Sequence, residues 1–379
     1  MSFALNDDQI AIRDMARSFA DEKIAPHALQ WDEDKHFPVD VIKEAAGLGM
    51  AGIYVREDVG GSGLTRLDAA LIMEALATGC PAVSAYISIH NMVSWMIDKY
   101  GSQAQRQQWL PRLVTMDLLS CYCLTEPGSG SDAAALKTKA TREGDSLVLN
   151  GSKQFISGAG AGDLYLVMVR TGGEGPKGIS AVLVEKGTPG LSFGPNEKKM
   201  GWHAQPTRQV IFENCRIPAA NLIGEEGQGF KIAMAGLDGG RLNIGACSLG
   251  GAQSALEKAI RYASERKAFG KALNEFQSLQ FKLADMATSL EAARMMLYSA
   301  AAAYDRQDPE TTQRCAMAKR FASDTGSQVV DDALQVFGGY GYLHEYGVEK
   351  LVRDLRVHRI LEGTNEIMRL IVARKLIAG

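Results

Sequence analysis

The sequence predicts an α+β fold in three parts: an N-terminal helical domain over residues 1–120, a middle antiparallel β-domain over 121–225 and a C-terminal four-helix bundle over 226–379. Three observations predict it. Apolar residues recur at helical spacing before about residue 120 and again after about 226. Between them the period changes to short runs rich in Val, Ile, Leu and Tyr, separated by Gly, Pro and Asn turns. Few long helical patterns interrupt those runs, which suggests an antiparallel sheet or a partly closed barrel rather than a wound α/β sheet.

In the first part, Asn6-Asp7-Asp8 opens a helix carrying Ile10, Ala11, Asp14, Met15 and Phe19, and Pro26 ends or kinks it. Pro38 opens a second helix with Val41, Ile42, Ala45 and Leu48 on one face. The glycine-rich stretch Asp58–Leu64 has no following Lys-Ser or Lys-Thr and no clear preceding strand, so a loop between helices is favoured over a phosphate cradle. Leu67 to Tyr100 is helical again, broken near Gly79-Cys80-Pro81; His90, among Ile89, Met92 and Trp95, reads as a core or pocket-wall residue.

In the second part, Tyr165–Arg170, Ile179–Val184 and Gln209–Phe212 are strands, and Ser146–Lys153 is a strand running into an Asn150-Gly151 turn. Two segments carry potential chemistry. Cys123–Asp132 is a loop dense in hydroxyls and open backbone. Phe155–Gly160 sets an aromatic beside a hydroxyl at a strand end. Together they could clasp a flat polar heterocycle, with N–H and hydroxyl donors for its edge and an aromatic for its face. An ordinary surface turn is the alternative.

In the third part, helical patterns span about 230–265, 278–305, 310–337 and 345–360, followed by a terminal helix from about Glu366 to Ile377 with Ile367, Leu370, Ile371 and Ala373 on one side. Leu283, Met286, Ala287, Leu290, Ala293 and Leu297 line one face of the second of these. Arg266-Lys267-Ala268-Phe269-Gly270 ends a helix with two cations, which either compensate its dipole or pair with a pyrophosphate. Gln335–Tyr342 ends another in glycines, as a C-cap or as a close approach to a ligand. Glu362-Gly363-Thr364-Asn365 places a lone carboxylate in a bend before the last helix, where it could enter a cavity or simply offset the helix dipole.

Composition narrows the classes. Lys+Arg is 41 against Asp+Glu 44, so no global field attracts nucleic acid or an anionic membrane. No run reaches membrane-spanning length, and Met1–Asp8 lacks the features of a secretory signal. The six cysteines form no CxxC and have no histidine pair at ligand spacing, which favours a reduced compartment and no structural metal.

Four motifs occur in the order found in one family: Leu124-Thr125-Glu126-Pro127-Gly128-Ser129-Gly130-Ser131-Asp132, Arg266-Lys267-Ala268-Phe269-Gly270, Gln335-Val336-Phe337-Gly338-Gly339-Tyr340-Gly341 and Glu362-Gly363-Thr364-Asn365-Glu366. With the helical–β–helical order, the chain resembles the acyl-CoA dehydrogenase family over nearly its whole length. The resemblance implies FAD between the β-domain and the bundle, a homotetramer, an acyl-CoA substrate and electron-transferring flavoprotein as acceptor. It places Tyr122, Leu124, Thr125, Gly130, Ser131, Phe155, Ile156 and Ser157 among the flavin contacts. Arg266, Phe269, Gln277, Gln335, Val336, Gly338, Gly339, Thr364 and Glu366 fall among the diphosphate and adenosine contacts, partly supplied by a neighbouring subunit; the family usually has Gln at position 366. Ser131, Asp238, Gly239, Gly240, Arg241, Gly363 and Arg374 would meet the CoA thioester.

The resemblance also makes Glu362 the base that removes the α-proton while the β-hydride goes to the flavin. One branch of the family carries its base just before the arginine of a Leu-Asp-x-x-Arg segment. Here that segment is Leu237–Arg241, with Gly240 at that place, which points back to Glu362. Within the family, Tyr122–Thr125, Phe155–Gly160, Gly201-Trp202, Gln205–Arg208 and Asp238–Arg241 resemble the branch that oxidises isobutyryl-CoA to methacrylyl-CoA in valine breakdown, although that branch has Asn at position 238. A short branched acyl-CoA is therefore expected, with straight short-chain or 2-methylbutyryl-CoA as the alternative. An acyl-CoA oxidase or a non-enzymatic helical interaction protein are the other classes. The expected compartment is the cytoplasm of a bacterium or the mitochondrial matrix of a eukaryote.

Overall fold

The structure is a computed structural model describing residues 4–378. Six helices come first: α1 (Asp7–Phe19), α2 (Ala28–Asp34), α3 (Val39–Gly47), α4 (Arg66–Gly79), α5 (Pro81–Tyr100) and α6 (Gln103–Leu113). Asn6, Thr65 and Ser102 each cap a helix with the reciprocal side-chain and backbone bonds of a capping box. The buried face of α1 is Ala16 and Phe19, while Ile10 and Met15 are exposed, so the expected apolar face is rotated. Asp58–Leu64 is indeed an inter-helix loop, and a Cβ on Gly61 would overlap the Val55 carbonyl.

The sheet follows: β1 (Ser120–Cys123), β2 (Lys139–Glu143), β3 (Ser146–Ser157), β4 (Leu164–Arg170), β5 (Ile179–Glu185), β6 (Leu191–Phe193), β7 (Thr207–Pro218) and β8 (Leu222–Ile223). Its order is β6-β7-β3-β2-β4-β5-β8, with β1 added beside β4. Most pairs are antiparallel, but β1 and β2 both run parallel to β4. Leu164, Leu166 and Met168 pack toward the helices, and Tyr165, Val167 and Val169 toward a second core between the strands. Burial on both faces explains why this strand reads as a continuous apolar run. The expected turn at Asn150-Gly151 is instead a bulge: β3 runs through it and shifts register against β7. Gly151 has φ +141°, and a Cβ there would meet Thr138 at 2.7 Å.

The last part is α7 (Gly229–Glu265), a two-stranded ribbon of β9 (Lys267–Ala268) and β10 (Lys271–Ala272), then α8 (Gln277–Asp305), α9 (Thr311–Phe337), α10 (Val348–Arg356) and α11 (Asn365–Ala378). α7 packs against α4, α5, α8 and α9, so the first and last parts share one apolar core. In α11 the buried apolar residue is Met368, and Leu370, expected on the apolar side, is exposed. Among the described residues no helix is long and apolar enough to cross a membrane.

Candidate active site

Glu362 lies in the bend between a 3-10 turn at Val357–Arg359 and α11. Its φ is +52° and that of Gly363 is +93°, two successive left-handed residues. For a residue with a side chain this conformation costs about 1–3 kcal/mol and persists only where surroundings enforce it. Here the Arg241 Nε donates to the Glu362 carbonyl at 3.4 Å, and the Lys319 ammonium donates to the Gly363 carbonyl at 2.8 Å. Thr364 then caps α11, its Oγ accepting from the Ile367 N–H at 3.3 Å.

The bend turns the carboxyl group inward against α7. A Cβ on Gly240 would lie 3.0 Å from Glu362 Cδ, with Oε2 closer still, so only glycine leaves room for the carboxylate. The residue as a whole is half-buried, yet among the described residues its Oε2 touches neither solvent nor any hydrogen-bond partner. Burial therefore pushes the carboxyl from 4.5 up to about 7, against the opposing pull of Lys319 and Arg241. Arg241 is held by Asp238 at 2.5 Å, and Asp238 by Thr312 at 2.7 Å. The Tyr122 hydroxyl is buried without a partner; burial raises its pKa, and the charge on Glu362 adds to this. Among the described residues the Glu362 N–H has no acceptor.

A second group lies where β1 and β3 end. The Lys153 ammonium, fully buried, pairs with Glu126 at 2.7 Å and donates to the Leu124 carbonyl at 3.1 Å. Glu126 in turn accepts from the backbone of Lys137 and Thr138 at 2.6 and 2.9 Å. Gln154 N–H donates to the Thr125 carbonyl at 2.8 Å. The loop holding Leu124, Thr125, Gly130 and Ser131 is thus fastened along β3, with Ser131 exposed. Phe155 projects from that strand in a left-handed conformation, φ +59°, and is 64% exposed; Ile156 points the other way into the sheet core and Ser157 is half-buried. A large aromatic held open beside a polar loop is a stacking face for a flat ring.

The remaining expected residues do not join these two groups. Arg266, Phe269, Gln277, Gln335, Gly338 and Gly339 are exposed at the ends of α7, α8 and α9, and Arg266 stacks only on Tyr340. Phe269 is 98% exposed. Val336, by contrast, is buried in the core. Glu366 is exposed and pairs with Arg369; Arg374 is exposed on α11. An open groove of about 430 Å³ between α1, α4, α7 and α8 lies apart from Glu362 and is lined by ion pairs such as Arg294–Glu74 and Arg17–Glu257.

Several site residues carried no flag in the sequence reading. Lys319 sits among Cys315, Ala316, Ala318 and Ala322, and a lysine at a core position of an apolar helix face was the available signal. Arg66 is buried with both terminal nitrogens unpartnered, its guanidinium 3.5 Å from the Tyr54 ring centre, 4.8 Å from Trp95 and 4.9 Å from Tyr304. A Cβ on Gly239 would approach its Nη1 to 2.5 Å. The two glycines after Asp238 therefore admit a cation on one side and a carboxylate on the other.

Known proteins resemble the chain over nearly its whole length. Residues 6–117, 121–215 and 227–377 match the models of the acyl-CoA dehydrogenase N-terminal, middle and C-terminal domains. The chain is 60% identical to the mitochondrial isobutyryl-CoA dehydrogenase of Dictyostelium discoideum and 54% identical to that of Bos taurus, over 99% of this chain and 90% of each relative. Its structure matches that of butyryl-CoA dehydrogenase from Megasphaera elsdenii with a TM-score of 0.96, at 40% identity and over the full length of both chains. The chain belongs to the acyl-CoA dehydrogenase family, a family of flavoprotein enzymes.

Proposed function

We propose that this enzyme removes the α- and β-hydrogens of a short branched acyl-CoA, isobutyryl-CoA first, with Glu362 as the base. The observation that carries the reading is a buried carboxylate with an unpartnered oxygen, held in a left-handed bend against a glycine. A C–H beside a thioester is a weak acid, so its removal needs a base unsolvated enough to be strong and a donor for the oxygen that gains charge. Glu362 offers both: a carboxyl whose burial raises its pKa to about 7 and a backbone N–H with no acceptor among the described residues. Arg241, bound to Asp238 and to the Glu362 carbonyl, limits how far the base can swing.

FAD fits the second group: the fastened loop at 124–131 offers hydroxyls and backbone to a ring edge, and Phe155 offers a face. When bound, it would supply the acceptor for the β-hydride. The exposed set at the tips of α7, α8 and α9 supports a diphosphate and adenosine contact completed by another subunit, as does a phenylalanine left 98% exposed at position 269. We propose a homotetramer as the assembly that completes this contact and, separately, electron-transferring flavoprotein as the acceptor. The preference for isobutyryl-CoA rests on relatives of that name at 54–60% identity.

The test is the visible spectrum of the purified protein with a panel of acyl-CoAs, followed by turnover with a dye acceptor. Isobutyryl-CoA should bleach the flavin band and give the highest kcat/KM. Glu362→Gln should keep the colour and lose the bleaching. A butyryl-CoA optimum well above isobutyryl-CoA sinks the substrate choice, and bleaching by the Gln variant sinks the base.

A further inference from the structure

Among the described residues three lysines are buried: Lys153, Lys319 and Lys350. Two of them sit on carboxylates, Lys153 on Glu126 at 2.7 Å and Lys350 on Asp354 at 2.6 Å. Lys319 has no ion-pair partner among the described residues. Its ammonium donates instead to the Gly363 carbonyl at 2.8 Å and the Asn365 Oδ1 at 3.0 Å. An ammonium buried without a counter-ion is costly, and a methionine would fill this apolar helix face more cheaply. The position of the charge is therefore the point to explain.

What it holds is the strained bend. Asn365, buried, is bound on its other side to Ser323 at 3.0 Å and Asp324 at 2.9 Å, one turn further along α9. Lys319, Ser323 and Asp324 thus bolt the start of α11 to α9. The carbonyls of Glu362 and Gly363 are each taken by a cation, Arg241 from α7 and Lys319 from α9. We infer that Lys319 is the positioning residue of the base: it fixes the two left-handed residues so that the carboxylate stays against Gly240, and its charge favours the ionised form. The inference rests on Glu362 being the base.

Among the described residues, the titratable groups near enough to Glu362 to feel its charge include Lys319, Arg241, Tyr122, Tyr54 and Cys247. Lys319 and Arg241 are the cations among them. Lys319 itself is faced by Glu362, Arg241, Asp324 and Glu366, and it depresses His358 behind it. Removing its charge leaves Arg241 as the one cation pulling the carboxyl down, so the base holds its proton to higher pH. Loss of the bond to Gly363 also loosens the bend.

The experiment compares full-length, flavin-loaded wild-type, Lys319→Met and Lys319→Gln, with Glu362→Gln in parallel. The readouts are flavin content and kcat and KM for isobutyryl-CoA across a pH range bracketing about 7. Both neutral variants should move the acid limb of kcat/KM up by about one pH unit. At neutral pH, Lys319→Met should lose roughly 10²-fold in kcat, as for a base misplaced by about an ångström. Lys319→Gln keeps a donor for the Gly363 carbonyl, so it should recover part of the loss at high pH but leave the limb displaced. Should Lys319→Met fail to fold, the limb in Lys319→Gln decides. A loss of kcat that is uniform with pH, the limb unmoved, makes Lys319 merely structural and overturns the inference. In that case an inactive Glu362→Gln leaves the base reading standing; a turning-over Glu362→Gln removes both.

Discussion

Gly240→Ala separates stability from chemistry at this site. A methyl group there would stand 2.4 Å from Glu362 Oε2 and 3.0 Å from its Cδ. Ordinary contact lies at about 3.5–4.0 Å, so the carboxyl has to withdraw by roughly 1 Å or more. A misplacement of about 1 Å at a reacting centre costs on the order of 10²-fold. In the interior of α7, alanine is favoured over glycine by about 1 kcal/mol, which offsets part of the crowding. The expected variant thus folds, binds flavin and melts within a few degrees of wild type, while its flavin-normalised kcat for isobutyryl-CoA falls by about two orders of magnitude. KM should change little, because the thioester's other neighbours remain. Dye-coupled turnover, flavin absorbance and thermal unfolding measure all three. Turnover within a few-fold of wild type, with the fold intact, refutes the placement of the base against Gly240.

Two further outcomes follow from buried charge. The Glu362 carboxyl titrates near 4.5 in an unfolded chain and about 7 in the fold, so the folded state holds its proton more tightly. Its contribution to stability is therefore full below about pH 4.5 and lost as pH rises through about 7, a swing of about 3 kcal/mol. Denaturant titrations of wild type and Glu362→Gln should diverge across this window, the Gln variant gaining relative stability as pH rises; parallel curves count against a buried, uncompensated carboxyl. Lys153→Met leaves Glu126, a buried member of the 124–131 loop, without its cation, so we expect a loss of about 3–5 kcal/mol and a lower flavin-to-protein ratio. Unchanged flavin retention would show that the loop does not depend on that pair.

The helical parts were legible because their burial is one-sided: an amphipathic period survives wherever one face meets water, as in α8, where Met286, Leu290, Ala293 and Leu297 are buried as expected. The misses occur where that condition fails. α1 and α11 lie at the margin of the core, and their apolar side chains exceed the area available to cover them. Asn150-Gly151 has the composition of a hairpin turn, but Thr138 on β2 comes so close that the glycine is needed for a bulge instead. The parallel pairing of β1 and β2 with β4 depends on chain path, which no local pattern encodes. At the site, Glu362 and Gly240 were readable from motif order, because each has to occupy one position. Lys319 offers one signal, a lysine at a core position of an apolar helix face, whereas Arg66 and Lys153 read as surface cations until the opposing element is in place.

The costs at this site are concentrated rather than scattered. Glycines in α7 give up about 1 kcal/mol of helix propensity each relative to alanine. Glu362 stands in a left-handed conformation, and among the described residues its Oε2 has no hydrogen-bond partner and the buried cations Arg66 and Lys319 have no salt bridge. Each feature alone lowers stability, and a chain selected only to fold would discard them. They persist together because each constrains its neighbour. Gly240 admits the carboxylate, Lys319 and Arg241 hold the bend that aims it, and burial raises its pKa into the range where it can take a proton near neutral pH. The surrounding core of α4, α5, α7, α8 and α9 is continuous across the first and last parts of the chain, and that rigidity is what lets so much unfavourable chemistry sit within a few residues of one bend.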